Sequence, residues 1–164
     1  MKNQYFGDVG DFGNYGLLSA ISSSGMKIGV NWYLTHNDDK TDGKFIDYLN
    51  KSEFVDSDVE LADFLKGCLD LGRRNVSELK NFKRFTGFEY HDDILELKHI
   101  KALSESGRRK RLDLRTKWFE DSLIRLSGCD LIFCDPDNGI FSFSLSTCLS
   151  TTVKIFYAHT DLSL

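Results

Sequence analysis

The sequence predicts an α/β fold with a mainly parallel sheet and flanking helices. Three observations carry that expectation. Ile28, Val30, Trp32 and Leu34 alternate with Gly29, Asn31 and Tyr33, the period of two that marks a strand. Leu131-Ile132-Phe133-Cys134 is a short apolar run that stops at Asp135-Pro136-Asp137-Asn138-Gly139, as a buried strand does at a turn. The stretch between them is helical in pattern and long enough for a crossover, so Lys27–Leu34 and Leu131–Cys134 are expected as parallel neighbours in a Rossmann-like core.

The remaining elements follow in chain order. Gly7 to Gly16 carries a glycine at every third residue and reads as a loop, because each glycine weakens a helix or a strand. A short helix then begins at Leu17. From Lys44 to Phe82 the pattern is helical, with Val59, Ala62, Leu65 and Leu69 at three- and four-residue steps. Gly72 suits a helix C-cap, and Asn75 suits the N-cap of the next helix. Lys110 to Leu126 is expected as a further helix, ended by Gly128.

With 164 residues, 41% hydrophobic and 28% charged, the chain can bury a core and is not of disordered composition. No run approaches 18 apolar residues, and Met1-Lys2-Asn3-Gln4-Tyr5 lacks the apolar stretch of a signal peptide, so the expected setting is cytoplasmic with no membrane partner. Cys68, Cys129, Cys134 and Cys148 form no CxxC pair and read as small buried hydrophobes. The net charge of -4 excludes a strongly basic nucleic-acid binder but leaves room for a local basic patch.

Composition changes after Ile140. Of the charged residues only Lys154 and Asp161 lie beyond it, no glycine does, and nine of the last 24 residues are Ser or Thr. The expectation is a single, incomplete α/β domain over 1–140 with an atypical tail over 141–164. One strand is conceivable at Val153 to Tyr157, but the tail is not expected to complete the core, which would leave an open hydrophobic edge beside Leu131–Cys134.

Four motifs are candidates for chemistry. Asp135, Pro136, Asp137 and Asn138 follow a hydrophobic strand, and ligands of open α/β sheets bind at that edge. An Asp-Pro pair there can accept hydrogen bonds from a substrate amino group, or Asp135 and Asp137 can hold Mg²⁺. The same residues also describe a hairpin, since Asn-Gly favours a type I′ turn and Phe141, Phe143 and Leu145 alternate with serines beyond it. His36 with Asp38, Asp39 and Asp42 follows the other strand and suits a metal, a ribose or a phosphate-linked water, or else a solvated loop. The glycine-rich segment can approach a phosphate through bare N–H groups. Arg108, Arg109, Lys110 and Arg111 form the basic run, suited to the phosphates of RNA or DNA or to a solvated helix entry.

The segments Asn3-Gln4-Tyr5-Phe6-Gly7-Asp8, Asp11-Phe12 and Tyr15-Gly16-Leu17-Leu18, with Trp32 and the Asp135–Gly139 loop, resemble a family of uncharacterised bacterial proteins over residues 1–140. A more distant likeness is to the J-type 23S rRNA adenine-N6 methyltransferases. Gly13-Asn14, Thr35-His36 with Gly43, and Asp135-Pro136 stand here in the order of that family's motifs, with Asp137 and Asn138 in place of its second proline and its base-stacking aromatic. The likeness implies an S-adenosylmethionine-dependent enzyme acting on an amino group of a nucleic acid. His36, Asp38, Asp39 and Gly43 would then line the cofactor, Asp135 to Asn138 would hold the target, and Arg108 to Arg111 would hold phosphates. Members of the first family continue beyond the Asp135–Gly139 loop with further strands and helices, which implies a truncated or frameshifted chain here. The alternatives are a Mg²⁺-dependent nuclease or phosphoesterase using Asp38, Asp39, Asp135 and Asp137, and a non-enzymatic binding domain in which both acidic loops are turns.

Overall fold

The structure is a computed structural model that describes residues 1–38, 43–135 and 154–157. It is an α/β fold with a small open parallel sheet and flanking helices. The described residues divide into two compact units. One holds Met1, Lys27–His36 and the described residues from Glu89 onward, and the other holds Lys2–Met26 and the described residues of Asn37–Phe88. No helix among the described residues is long and apolar enough to cross a membrane.

The first unit is built on four strands, β1 (Ile28–Asn31), β2 (Glu89–His91), β3 (Leu131–Cys134) and β4 (Lys154–Tyr157), in the order β2-β1-β3-β4. All three pairings are parallel. Ile28 pairs with Leu131 and Asn31 with Cys134, so the two strands expected from sequence are the parallel neighbours at the centre. Every residue of β1 and β3 is buried, as parallel strands covered on both faces must be. The simple in-out alternation expected of β1 therefore does not hold, because Gly29 and Asn31 are buried along with Ile28 and Val30.

The strand is also shorter than Lys27–Leu34. Asn31 Oδ1 accepts a hydrogen bond from the backbone N–H of Tyr33 at 3.2 Å, and Tyr33 turns into the left-handed region at φ 47°. That local bond offers the backbone an alternative to the ladder and ends the strand. The outer edge of β3, expected to stand open, is instead paired with Lys154–Tyr157 of the tail. That short apolar segment, Lys154-Ile155-Phe156-Tyr157, offers the ladder that β3 needs and corrects the expectation of an exposed edge.

Helix α4 (Glu105–Arg125) starts five residues before the expected Lys110, because the Ser104 hydroxyl caps it by accepting from Gly107 N–H at 3.0 Å. Its buried stripe is Trp118 and Ser122, continued by Leu126 at the C-cap, all four residues apart. Leu112, expected on that face, is 62% exposed, since it lies off this stripe. The C-terminal end of α4 meets β1 at Gly29. A Cβ there would lie 3.0 Å from Cys129 Sγ and 3.2 Å from Leu126 Cδ2, so a larger residue would have to push these side chains back for helix end and strand to close to this distance.

The second unit corrects the reading of the glycine-rich segment. Helix α1 spans Val9–Ser22 and runs through Gly10, Gly13 and Gly16. Two carboxylates make this possible. Asp8 caps the helix, accepting from Gly10 N–H at 2.9 Å and Asp11 N–H at 3.1 Å. Buried Asp11 accepts from Gly7 N–H at 3.1 Å and from the Tyr15 hydroxyl at 2.7 Å. The N–H groups that a phosphate would have used are bonded to these side chains. Phe6, Tyr15 and Leu18 pack beneath, almost fully buried.

The helical pattern of 44–82 resolves into separate pieces. These are a 3-10 turn at Asp47–Asn50, α2 (Ser52–Val55), α3 (Val59–Asp70) and 3-10 turns at Val76–Asn81 and Lys83–Phe85. Leu61, Ala62, Leu65 and Cys68 form the buried face of α3. Gly72 ends α3 with a positive φ while Arg73 N–H bonds Cys68 O, and the Asn75 side chain caps the next turn through Ser77 N–H. Both were expected from sequence.

Two substitutions test this account by chemical denaturation. Gly29→Ala should lower stability by about 1–3 kcal/mol, the usual cost of overpacking a close contact. An unchanged midpoint would mean that the helix end gives way freely. Gly16→Ala should do the opposite. Its Cβ would meet nothing within 4 Å, so the variant should gain up to about 1 kcal/mol of helix propensity.

Candidate functional site

In a parallel sheet the strands end together, and their carboxyl edge gathers side chains distant in sequence. Asn31, His91 and Cys134 lie side by side in register at the ends of β1, β2 and β3. The chain leaves β1 for β2 on one side and later returns to β3 on the other. The strand order thus reverses between β1 and β3, which is where open α/β sheets bind ligands.

Asn31 is 2% exposed and His91 1%. The Asn31 Oδ1 lies 3.4 Å from His91 Nδ1 and already accepts from Tyr33 N–H. An amide oxygen only accepts, so this assignment puts the imidazole proton on Nδ1 and leaves a lone pair on Nε2. The buried Nε2 has no hydrogen-bond partner. The nearest charge is the Asp93 carboxylate, 3.7 Å away, itself 3.8 Å from Arg125 Nη1. Trp118 meets the imidazole edge-on at 4.6 Å between centroids, and its indole N–H donates to Asp93 O at 2.9 Å. Burial pushes the His91 imidazole below its ordinary range, and Arg125 adds to this while the Asp93 carboxylate opposes it. A neutral imidazole with a free lone pair is a proton acceptor.

The other groups at this edge have different chemistry. Burial, aided by Asp135, pushes the Cys134 thiol up to about 12, so it is an inert thiol and no nucleophile. Half-buried Asp135 is fixed by its backbone, its N–H donating to Asn31 O at 3.1 Å and its carbonyl accepting from the Met1 ammonium at 3.4 Å. The same ammonium lies 3.3 Å from Tyr33 O.

The residues proposed from sequence are distributed as follows. Pro136, Asp137 and Asn138 lie outside the described residues, as do Asp39 and Asp42. His36, in the sheet unit, pairs with Glu96 at 2.7 Å through Nε2. Asp38 and Gly43 belong to the other unit. The Asp38 carboxylate is held by Lys2 Nζ at 3.1 Å and Gln4 Nε2 at 3.0 Å. At Gly43, where φ is +81°, a Cβ would fall 2.5 Å from Tyr5 Cδ1, and the carbonyl accepts from Arg74. Close packing of this loop accounts for the glycine. Arg108, Arg109 and Lys110 are exposed in the first turns of α4, whereas Arg111 donates to Leu97 O and Ile100 O and anchors the preceding loop.

Sequence reasoning missed His91 and Asp93. Strand β2 has only three residues, too few for a periodic signal. The available cue was Tyr90-His91-Asp92-Asp93, a histidine and an acidic pair in a row, comparable to His36-Asn37-Asp38-Asp39 some way beyond β1. Among the described residues, no group of three or more His, Cys, Asp or Glu side chains is arranged to hold a metal ion.

The lowered His91 value makes stability depend on pH. Above its ordinary value of 6.5 the imidazole is neutral in both folded and unfolded chains, and its contribution is fully present. As pH falls below that value the unfolded chain takes up a proton that the folded one resists, so stability is lost. The denaturation midpoint should decline from pH 7 toward pH 5, and His91→Gln should flatten that decline. Equal slopes in both proteins would remove His91 as the source. Comparisons of the chain with protein-family models, with curated proteins and with solved structures find no match.

Proposed function

We propose that the carboxyl edge of the sheet binds S-adenosylmethionine and that the protein methylates an amino group of a nucleic-acid base. The observation that carries this reading is the strand order. With β1 at the centre, an acidic pair follows β2 and Asp135 follows β3, so acceptor groups stand on both sides of the point where the order reverses. That order supports a Rossmann-like reading, and in such folds an acid after the second strand accepts from ribose hydroxyls. Asp92 and Asp93 take that place here. This moves the cofactor side from the loop after β1 to the end of β2, since Asp38 and Gly43 already have local roles.

The donor set fits the group. Carboxylates accept from hydroxyl and amino N–H groups, and the orphaned Nε2 of buried His91 is an acceptor at the same edge. When bound, S-adenosylmethionine supplies an electrophilic methyl group. Asp135 would orient the target amino group through its carboxylate, and the His91 lone pair would take the proton the amine gives up. Exposed Arg108, Arg109 and Lys110 would contact backbone phosphates, which makes nucleic-acid affinity fall with salt.

Calorimetry of the full chain with S-adenosylmethionine tests the reading. Saturable 1:1 binding is expected, weakened at least about tenfold by Asp93→Ala, a loss of ~1.4 kcal/mol. Asp135→Ala should leave that binding intact and abolish transfer of labelled methyl into RNA or DNA. Absence of binding overturns the proposal, and heat with Mg²⁺ alone would favour a phosphoesterase.

A further inference from the structure

We propose that the second unit carries a separate binding cleft, on the glycine face of α1, for an uncharged planar molecule bearing a carbonyl acceptor. The cleft has a volume of about 410 Å³, within the size range of small-molecule pockets. Its floor is Gly13, Gly16 and Ala20 of α1, with Phe12 and Ser19 beside them, and Ser57, Asp58 and Arg84 form the opposite wall.

Two independent features point to a ligand. The first is the glycine pair. Each glycine in a helix interior is less favourable than alanine, and close packing commonly compensates. At Gly13 and Gly16 a Cβ would meet nothing within 4 Å, so no contact in the folded chain fills the space they leave. The second is polar. Ser19 is 7% exposed, lines the cleft, and its Oγ has no hydrogen-bond partner. Across from it, Arg84 forks onto Asp58 with Nη1–Oδ2 at 2.9 Å and Nη2–Oδ1 at 2.5 Å. Its buried Nε makes no hydrogen bond, although Glu60 Oε2 is 3.3 Å away. The walls therefore hold one hydroxyl without a partner, Ser19 Oγ, and one guanidinium N–H that faces Glu60 without a hydrogen bond.

Charge and shape define the class. The Arg84 guanidinium is shared by two carboxylates, Asp58 and Glu60, and it holds the Asp58 carboxyl below the ordinary carboxylate range. The local sum is negative, which disfavours an anion. An acceptor without charge, such as a carboxamide oxygen, satisfies a donor without that repulsion. The uncovered backbone at Gly13 and Gly16 offers a flat surface to a planar body.

The test is a titration of ¹⁵N-labelled full-length protein with benzamide and, as its charged counterpart, benzoate. Benzamide at about 10 mM, above the ~1 mM Kd typical of a weak small ligand, should shift the amides of Gly13, Gly16 and Ser19 and the Arg84 Nε–H resonance. Benzoate should bind at least about tenfold more weakly. Gly16→Leu, whose side chain enters open space, should abolish the shifts while leaving the melting transition in place. If that variant fails to fold, Ala20→Phe at an exposed helix position makes the same block. Absence of shifts at these residues, shifts that persist in a folded blocked variant, or benzoate binding as well as benzamide would each overturn the proposal.

Discussion

Strand β1 is hydrogen-bonded on both sides to parallel neighbours and buried on both faces, and the sheet unit follows from that constraint. A strand in this position has no room for a solvated side chain. Its residues are apolar, or small where a helix end comes close, as at Gly29 under Cys129 and Leu126. The exception is Asn31, and it sits at the last position, where the ladder ends. Its carboxamide must find partners, because an unsatisfied buried polar group costs about 1–3 kcal/mol. It finds Tyr33 N–H and the His91 ring, and in doing so it bends the chain out of the strand. The left-handed Tyr33, an arrangement that costs roughly 1–2 kcal/mol for a residue with a Cβ, is held by that bond and by its ring against Trp118 at 5.0 Å.

The second unit solves a different problem, that of a helix built from poor helix formers. Three glycines in α1 each cost close to 1 kcal/mol relative to alanine, and isolated short helices are marginal even without them. Asp8 and Asp11 offset this by occupying the N–H groups of the first turn and of Gly7. Burial pushes the Asp8 carboxyl up, while the N–H groups of Asp11 and Gly10 and the nearby Arg74 oppose the shift. Arg74 itself donates to Phe6 O and closes the segment onto the chain after α3. Tyr48 donates to Gly7 O at 3.1 Å, and burial together with the two carboxylates pushes its phenol upward, so it stays a neutral donor. Most of the polar residues in the opening motif thus hold the N-terminal segment in place.

What was legible in the sequence was what depends on neighbours in sequence. The central strands could be read from apolar runs, their parallel pairing from the helical stretch between them, and the stops at Gly72 and Asn75 from local cap chemistry. What could not be read depends on partners far away. Glycine spacing suggested a loop over 7–16; Asp11 and Tyr15 are only four residues apart, but the burial that makes their bond count comes from the rest of the unit. Asp38 and Gly43 suggested a cofactor loop, because their engagement by Lys2, Gln4 and Arg74 spans more than thirty positions. Strand β2 was invisible for a simpler reason: three residues carry no period, and its pairing with β1 is what makes it a strand.

The same reasoning separates residues that hold the fold from residues that are held by it. Asp8, Asp11, Asp38, Arg74 and Arg111 have their polar atoms bonded within the chain, and such groups have little left to offer a ligand. His91 and Ser19 are the reverse. Each is buried, each leaves a polar atom without a partner, and each therefore carries a cost that its own unit does not return. A neutral imidazole kept dry at a sheet edge is poorly placed to stabilise the fold at low pH, and its Nε2 lone pair is left to accept a hydrogen bond. A hydroxyl buried without a partner beside two uncovered glycines weakens its helix. In both places the chain forgoes stability at one atom, and a ligand that supplies the missing partner would recover it.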